Sequence, residues 1–106
     1  MSLLKISGES KDGKMVLGGF FALRSTHGIP LEEMLMFARD NDILIDWEDF
    51  IQSAISEGMS PRGVASTIDA ASTEIFGIHH AREIKRRARH IIIDVLEKRK
   101  AMKHGQ

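Results

Sequence analysis

Near its C-terminal end the chain reads IHHAREIKRRARHIIIDVLEKRKAM, from Ile78 to Met102, with apolar residues at intervals of three and four. This spacing aligns them along one side of an α-helix, as in the seam of a coiled coil. The apolar positions are Ala81, Ile84, Ala88, Ile91, Val95 and Met102, and Lys98 occupies the one position that is not apolar. Ile92 and Leu96 widen the seam to the breadth of a helix that packs on a globular core. We therefore predict a long amphipathic helix over residues 78–103.

The opposite side of this predicted helix is basic, and the rest of the chain is acidic. Six basic and twelve acidic residues precede His79, a net charge of −6, whereas nine basic and three acidic residues lie from His79 onward, a net charge of +6. Such asymmetry is typical of a basic arm that binds an acidic partner. It is equally expected if an acidic body and a basic helix neutralise each other within the fold. The predicted partner-binding residues are Arg82, Arg86, Arg87, Arg89, Lys98, Arg99, Lys100 and Lys103.

The composition is that of a soluble globular domain. The chain has 106 residues, of which 42% are hydrophobic and 28% charged, and this length favours a single domain. It contains no cysteine, which excludes disulfides, thiolate metal sites and cysteine nucleophiles. We see neither an apolar run long enough to span a bilayer nor the pattern of a signal peptide. We therefore expect a cytoplasmic location.

We divide the predicted single domain into an N-terminal arm (1–19), a body of short helices (20–77) and the long basic helix (78–103). In the arm, an Asp12-Gly13 pair separates two short apolar segments, which favours a β-hairpin. An arm without regular secondary structure is the alternative. Start and stop signals divide the body into four short helices. These signals are Gly28 after the first helix, Pro30 and Asn41 around the second, Asp46 and Gly58 around the third, and Ser60-Pro61 and Gly77 around the fourth.

These elements predict a mainly α fold, a small bundle of four or five helices. The Ile-Leu-Ile segment at 43–45 is expected to be a buried connector. We expect the core to contain Phe37, Trp47, Phe50, Ile51, Ile68, Ile84, Ile91 and Val95.

Several motifs suggest chemistry, but their spacing argues against it. Gly8 to Lys14 reads GESKDGK and matches part of a phosphate-binding P-loop, yet Met15 replaces the hydroxyl residue that binds magnesium. A polar turn is the better interpretation. His79 and Glu83 share a helical face, but His90 lies about 16 Å further along the helix axis and cannot join them at one ion. We predict no metal and no cofactor.

An acidic cluster lies between the second and third predicted helices. It resembles a calcium-binding loop in composition only, because it lacks the central glycine and the closing glutamate of an EF-hand. We interpret it as a loop and the N-terminus of a helix. Its members are Asp40, Asp42, Asp46, Glu48 and Asp49.

Binding is therefore a better hypothesis than catalysis. Helices over 31–40 and 46–57 could form a helix-turn-helix, but the second is acidic and phosphates would repel it. The basic helix lacks the Trp or Phe of an interfacial membrane helix. We predict a non-enzymatic protein-interaction or self-assembly module, with homo-oligomers expected and no small-molecule substrate. The alternative is a nucleic-acid-binding accessory protein that uses the same basic helix through non-specific phosphate contacts.

Two segments of the sequence resemble a known group of proteins. GGFFALRSTHGIPLEEMLMF (18–37) and DWEDFIQSAISEG (46–58) together resemble small helical proteins encoded by bacteriophages. They cover about a third of the chain and include no catalytic motif, so no functional residues follow from them. The resemblance implies a phage structural, assembly or host-interacting accessory protein, which would be found in the host cytoplasm or the virion.

Overall fold

The computed structural model describes residues 4–104, with side chains from residue 4 to residue 101. Over this range the chain is mainly helical, as predicted, and a long C-terminal helix is present. A small sheet, in addition, joins the N-terminal hairpin to the middle of the chain. The elements are β1 (Lys5–Glu9), β2 (Met15–Gly18), α1 (Phe20–His27), α2 (Leu31–Asp40), β3 (Leu44–Ile45), α3 (Trp47–Ser56), α4 (Pro61–Phe76) and α5 (Ile78–His104).

The N-terminal arm is a hairpin. β1 and β2 pair in antiparallel fashion, with an irregularity in register between Ile6 and Gly8. At the turn Gly13 has a positive φ of 81° and donates its N–H to the Ser10 carbonyl at 3.0 Å. A P-loop needs a helix directly after its glycine-rich segment so that the helix N-terminus faces the phosphate. Residues 8–14 instead form the end of β1 and the turn that leads to β2, which agrees with the polar-turn interpretation.

The predicted connector at residues 43–45 contains a strand that the sequence analysis missed. β3 lies parallel to β2, with Val16 opposite Leu44 and Leu17 opposite Ile45. Ile45 is buried, but Leu44 is exposed, so the segment is only partly the buried connector that we expected. β3 also separates α2 from α3, and the two helices therefore lack the tight turn of a helix-turn-helix.

The helix boundaries follow the predicted start and stop signals. The Asp46 carboxylate accepts the backbone N–H of Asp49 at 3.1 Å, and the Ser60 hydroxyl accepts that of Gly63 at 3.0 Å. Each bond satisfies a donor that the first turn of a helix would otherwise leave unpaired. Gly28 ends α1 in the left-handed conformation, which is the usual role of glycine at this position.

Phe50 lies at the centre of the core. Its ring makes edge-to-face contacts with Phe21 at 5.5 Å and with Trp47 at 5.8 Å between ring centroids. Most of the predicted core residues are buried, but Phe37 is 44% exposed, so its placement in the core was wrong. The inner face of α2 is formed by Leu31, Met34, Leu35 and Ala38. Phe37 lies outside this 3-4 pattern and points away from the core.

α4 forms the centre of the helical layer, because α2 and α5 both pack against it. One residue, Gly77, connects α4 to α5. Its φ of 87° and ψ of 165° lie in a region that is essentially restricted to glycine. The Ala81 N–H donates to the Gly77 carbonyl at 3.0 Å, so the same residue begins the hydrogen bonding of α5. No described helix is both long and apolar enough to cross a membrane.

We predict that Gly77→Ala lowers the free energy of unfolding by about 1–3 kcal/mol, because a Cβ is strained at this φ and ψ. Urea denaturation monitored by circular dichroism measures the change. Gly8→Ala is the matched control, since Gly8 has a negative φ and open space where its Cβ would be built. Equal stabilities for the two variants would contradict a conformational requirement at Gly77.

Candidate functional site

One face of α5 is buried against α4 and α3. The buried positions are Ala81, Ile84, Ala88, Ile92 and Val95. The next position on this face is Arg99, whose guanidinium donates to the Ile55 carbonyl at 3.4 Å. Ile92, which was expected to widen this face, is buried in the core, whereas Ile91 is only partly buried against it. The reason is that a helix of 3.6 residues per turn drifts relative to a strict seven-residue repeat.

The α5 helix extends beyond the region that it helps to bury. Among the described side chains, none after Val95 is buried. The molecule measures 45 Å along its longest axis but 34 and 31 Å along the other two. A helix of this length is about 39 Å long, which is more than a domain of roughly 33 Å diameter can cover. The C-terminal turns of α5 are therefore accessible.

The structure separates the eight predicted partner-binding residues into different environments. Arg87 lines a cavity, Lys98 forms an ion pair with Asp94 in the same helix at 3.3 Å, and Arg99 contacts the body. The side chain of Lys103 lies outside the described residues. The other four are exposed and form no ion pair within the described part of the chain: Arg82, Arg86, Arg89 and Lys100.

These four free cations lie along one side of α5 together with two apolar residues. We call this surface the α5 stripe, and it consists of Arg82, Arg86, Arg89, Ile93, Leu96 and Lys100. Intervals of four, three, four, three and four residues align them on one flank of the helix. Ile93 is 50% and Leu96 38% exposed. The α5 stripe thus has an apolar centre with basic residues on either side.

The acidic body does not neutralise this stripe. Among the described side chains, the ion pair that links α5 to the body joins Lys85 to Asp69 at 3.7 Å, and neither residue belongs to the stripe. Both partners are solvent-exposed, and such surface pairs contribute little. Of the two explanations that the charge asymmetry left open, mutual neutralisation within one chain therefore has little support at the α5 stripe.

A second exposed surface lies on α2. We call it the α2 stripe, and it consists of Glu33, Met36, Phe37 and Asp40. Intervals of three, one and three residues place them on one face of the helix, and all four are exposed. Met36 is 37% exposed, and Asp40 also forms a solvent-exposed ion pair with its neighbour Arg39 at 3.2 Å. This stripe, too, has an apolar centre, but its flanking residues are acidic.

The acidic cluster between α2 and α3 has structural roles. Asp46 caps α3, and the Asp49 carboxylate accepts the Gly19 N–H at 2.9 Å, which ties α3 to the end of the hairpin. Asp42 forms an ion pair with Lys14 at 3.0 Å. This agrees with the interpretation as a loop and a helix N-terminus.

A cavity of about 440 Å³ lies on the other flank of α5, between α2, β3 and the end of α4. At the edge of this cavity the Phe76 ring stacks on the His80 ring, with 4.7 Å between the ring centroids. Its apolar floor and charged rim are typical of a small-molecule site, but Lys14 and Asp42 of the rim are already paired with each other. The lining residues are Lys14, Leu35, Ala38, Arg39, Asp42, Ile43, Leu44, Ile45, Trp47, Phe76, His80, Glu83, Ile84 and Arg87.

The histidines do not converge. Within the described residues, no group of three or more His, Asp or Glu side chains is arranged to hold a metal ion. The four side chains considered for metal binding are all exposed on α5: His79, His80, Glu83 and His90. His80 stacks on the Phe76 ring and not against another potential metal-binding side chain.

Comparison with known proteins adds no functional assignment. No protein-family model, curated protein or solved structure is detectably similar to this chain. Function must therefore be argued from the surfaces described above.

The orientation of α5 is testable with two adjacent residues. We predict that Ile92→Ala lowers the free energy of unfolding by about 2–5 kcal/mol, because it leaves a cavity in the core. Ile93→Ala, the same substitution one position further, is expected to change it by less than about 0.5 kcal/mol. Urea denaturation of the two variants gives both values. A larger loss at Ile93 than at Ile92 would show that the α5 stripe is buried.

Proposed function

We propose that this chain is a protein-interaction module whose α5 stripe binds an acidic protein surface. The observation that carries the proposal is the combination, on one exposed flank, of Ile93 and Leu96 with four cations that form no ion pair with any described side chain. Desolvating two large apolar side chains supplies affinity at roughly 25 cal/mol per Å² of buried surface. The surrounding cations select acidic partners and speed their association.

The apolar centre favours a protein over a nucleic acid as the partner. A surface that binds phosphates needs only cations, and single-stranded nucleic acids additionally need aromatic residues for base stacking. The α5 stripe has no aromatic residue. Ile93 and Leu96 instead resemble the apolar core of a protein interface, with arginine and lysine on its rim.

The resemblance of residues 18–37 and 46–58 to phage-encoded helical proteins favours a role in assembly or in contact with a host protein. Such a role needs no catalytic residues, and the proposal assigns none. It rests on the α5 stripe alone and would hold equally for a non-viral protein.

We test the proposal with a synthetic amphipathic peptide that carries Glu and Leu at helical spacing. The full-length chain is expected to bind it with an affinity that falls as salt is added, because salt screens the charges. Ile93→Ser/Leu96→Ser should weaken binding by at least about tenfold, since the two side chains are already about half buried and together contribute about 1.5 kcal/mol when the rest of their surface is covered. Arg86→Glu/Arg89→Glu should abolish it. Fluorescence anisotropy measures each affinity.

Lys11→Glu/Arg62→Glu is the matched control, because it changes the net charge equally at two exposed residues outside the α5 stripe and should retain binding. The same variants are then titrated with a random-sequence DNA duplex. If DNA binds tightly, the peptide does not, and Ile93→Ser/Leu96→Ser leaves DNA affinity unchanged, the nucleic-acid alternative is correct and the proposal is wrong.

A further inference from the structure

We infer that the α5 stripe binds the α2 stripe of a second copy of this chain. The inference rests on the proposed function and names the partner. It is based on the complementarity of two exposed surfaces that the same chain carries.

The two stripes have the same layout with opposite charge. In the α5 stripe Arg89 and Lys100 flank Ile93 and Leu96, whereas in the α2 stripe Glu33 and Asp40 flank Met36 and Phe37. Isolated apolar residues on a surface are ordinary and need no partner. Two apolar pairs, each bracketed by charges that the other would neutralise, form a complementary pair of surfaces.

The dimensions of the stripes also match. Arg89 and Lys100 are about 16 Å apart along α5, and Glu33 and Asp40 about 10 Å apart along α2, at 1.5 Å per residue. The long, flexible side chains of arginine and lysine can reach inward over the difference. Both ends of each stripe carry the same sign, so the charges fit whether the helices cross in parallel or in antiparallel orientation.

The contact must form between two molecules. Within one chain α2 and α5 both pack against α4, and both stripes are exposed to solvent. Each copy therefore has one α5 stripe and one α2 stripe available for contact with other copies. Two copies bury both contacts if a two-fold axis relates them, whereas successive copies form a ring or a filament if it does not.

The test exchanges charges between the stripes. Variant A carries Glu33→Lys/Asp40→Lys, so that the charges flanking the apolar centres of both its stripes are positive, and variant B carries Arg89→Glu/Lys100→Glu, so that the charges flanking both centres are negative. The mass of the wild-type chain, measured by light scattering at low salt, should exceed the 11.9 kDa of one copy and fall as salt is added. Variants A and B alone should associate more than about tenfold more weakly, because like charges then face each other.

Two combinations should restore association. In an equimolar mixture of A and B, every contact between an A copy and a B copy joins opposite charges. In the variant that carries all four substitutions, the two charges are exchanged and self-association returns. Glu57→Lys/Glu74→Lys is the control for variant A and Lys11→Glu/Arg62→Glu the control for variant B, since all four residues are exposed and lie outside both stripes.

The outcomes separate this inference from the proposed function. Restoration in the mixture supports the direct contact. A wild-type chain that is monomeric at every concentration and salt overturns the inference, and so does an oligomer that variant B disrupts and variant A does not. In either case binding of the acidic peptide to α5 still decides the proposed function. If a reversal variant fails to fold by circular dichroism, Arg89→Gln/Lys100→Gln or Glu33→Gln/Asp40→Gln replaces it, with weakened association expected.

Discussion

One face of α5 is buried against α4 and α3, and this packing positions the other helices and the exposed surfaces of the molecule. The N-terminal half of this face has Ala81, Ile84 and Ala88 at its buried positions. The two alanines are small enough for the helix backbones to approach closely. Ile92 and Val95 continue the face towards α3. Because α4 lies between α2 and α5, this packing also holds α2 in place, and α2 in turn contacts β3.

The same packing determines which charges are free. Once Ala81, Ala88 and Val95 face the core, the helical period places Arg87 and Lys98 on one flank and the α5 stripe on the other. On the first flank Arg87 lines the cavity and Lys98 pairs with Asp94 of α5, whereas no described acidic side chain forms an ion pair with the second. A helix that is basic in sequence therefore has two charged flanks, and the α5 stripe is the flank whose cations lie beside the exposed Ile93 and Leu96.

The sequence predicted the features that depend on local signals. Asp46 and Ser60-Pro61 begin helices and Gly28 and Gly77 end them because capping and glycine conformation act over a few residues. The strand pairing of Leu44 and Ile45 was missed, since a two-residue strand is defined only by its distant partner β2. Ile91 was expected in the core but is only partly buried against it, because neighbouring positions on a helix differ by a phase that only packing against α3 and α4 resolves.

The candidate sites were predictable to a different extent. The basic residues of α5 were identified from charge alone, but their separation into a free stripe, a cavity lining and an internal contact depends on the rotation of the helix. The α2 stripe was not recognised, because Phe37 was assigned to the core and the exposure of Met36 is invisible in the sequence. The cavity joins residues of five elements, so no local pattern could indicate it.

An intermolecular nuclear Overhauser experiment on a mixture of isotope-labelled and unlabelled chains at low salt tests directly whether the α5 stripe of one copy contacts the α2 stripe of another. We predict cross-peaks between the Ile93 and Leu96 methyl groups of one copy and the Met36 methyl and Phe37 ring of the other, because these side chains form the apolar centres of the two stripes. An associated sample that gives intermolecular cross-peaks only elsewhere on the surface, or a sample that gives none, would contradict it.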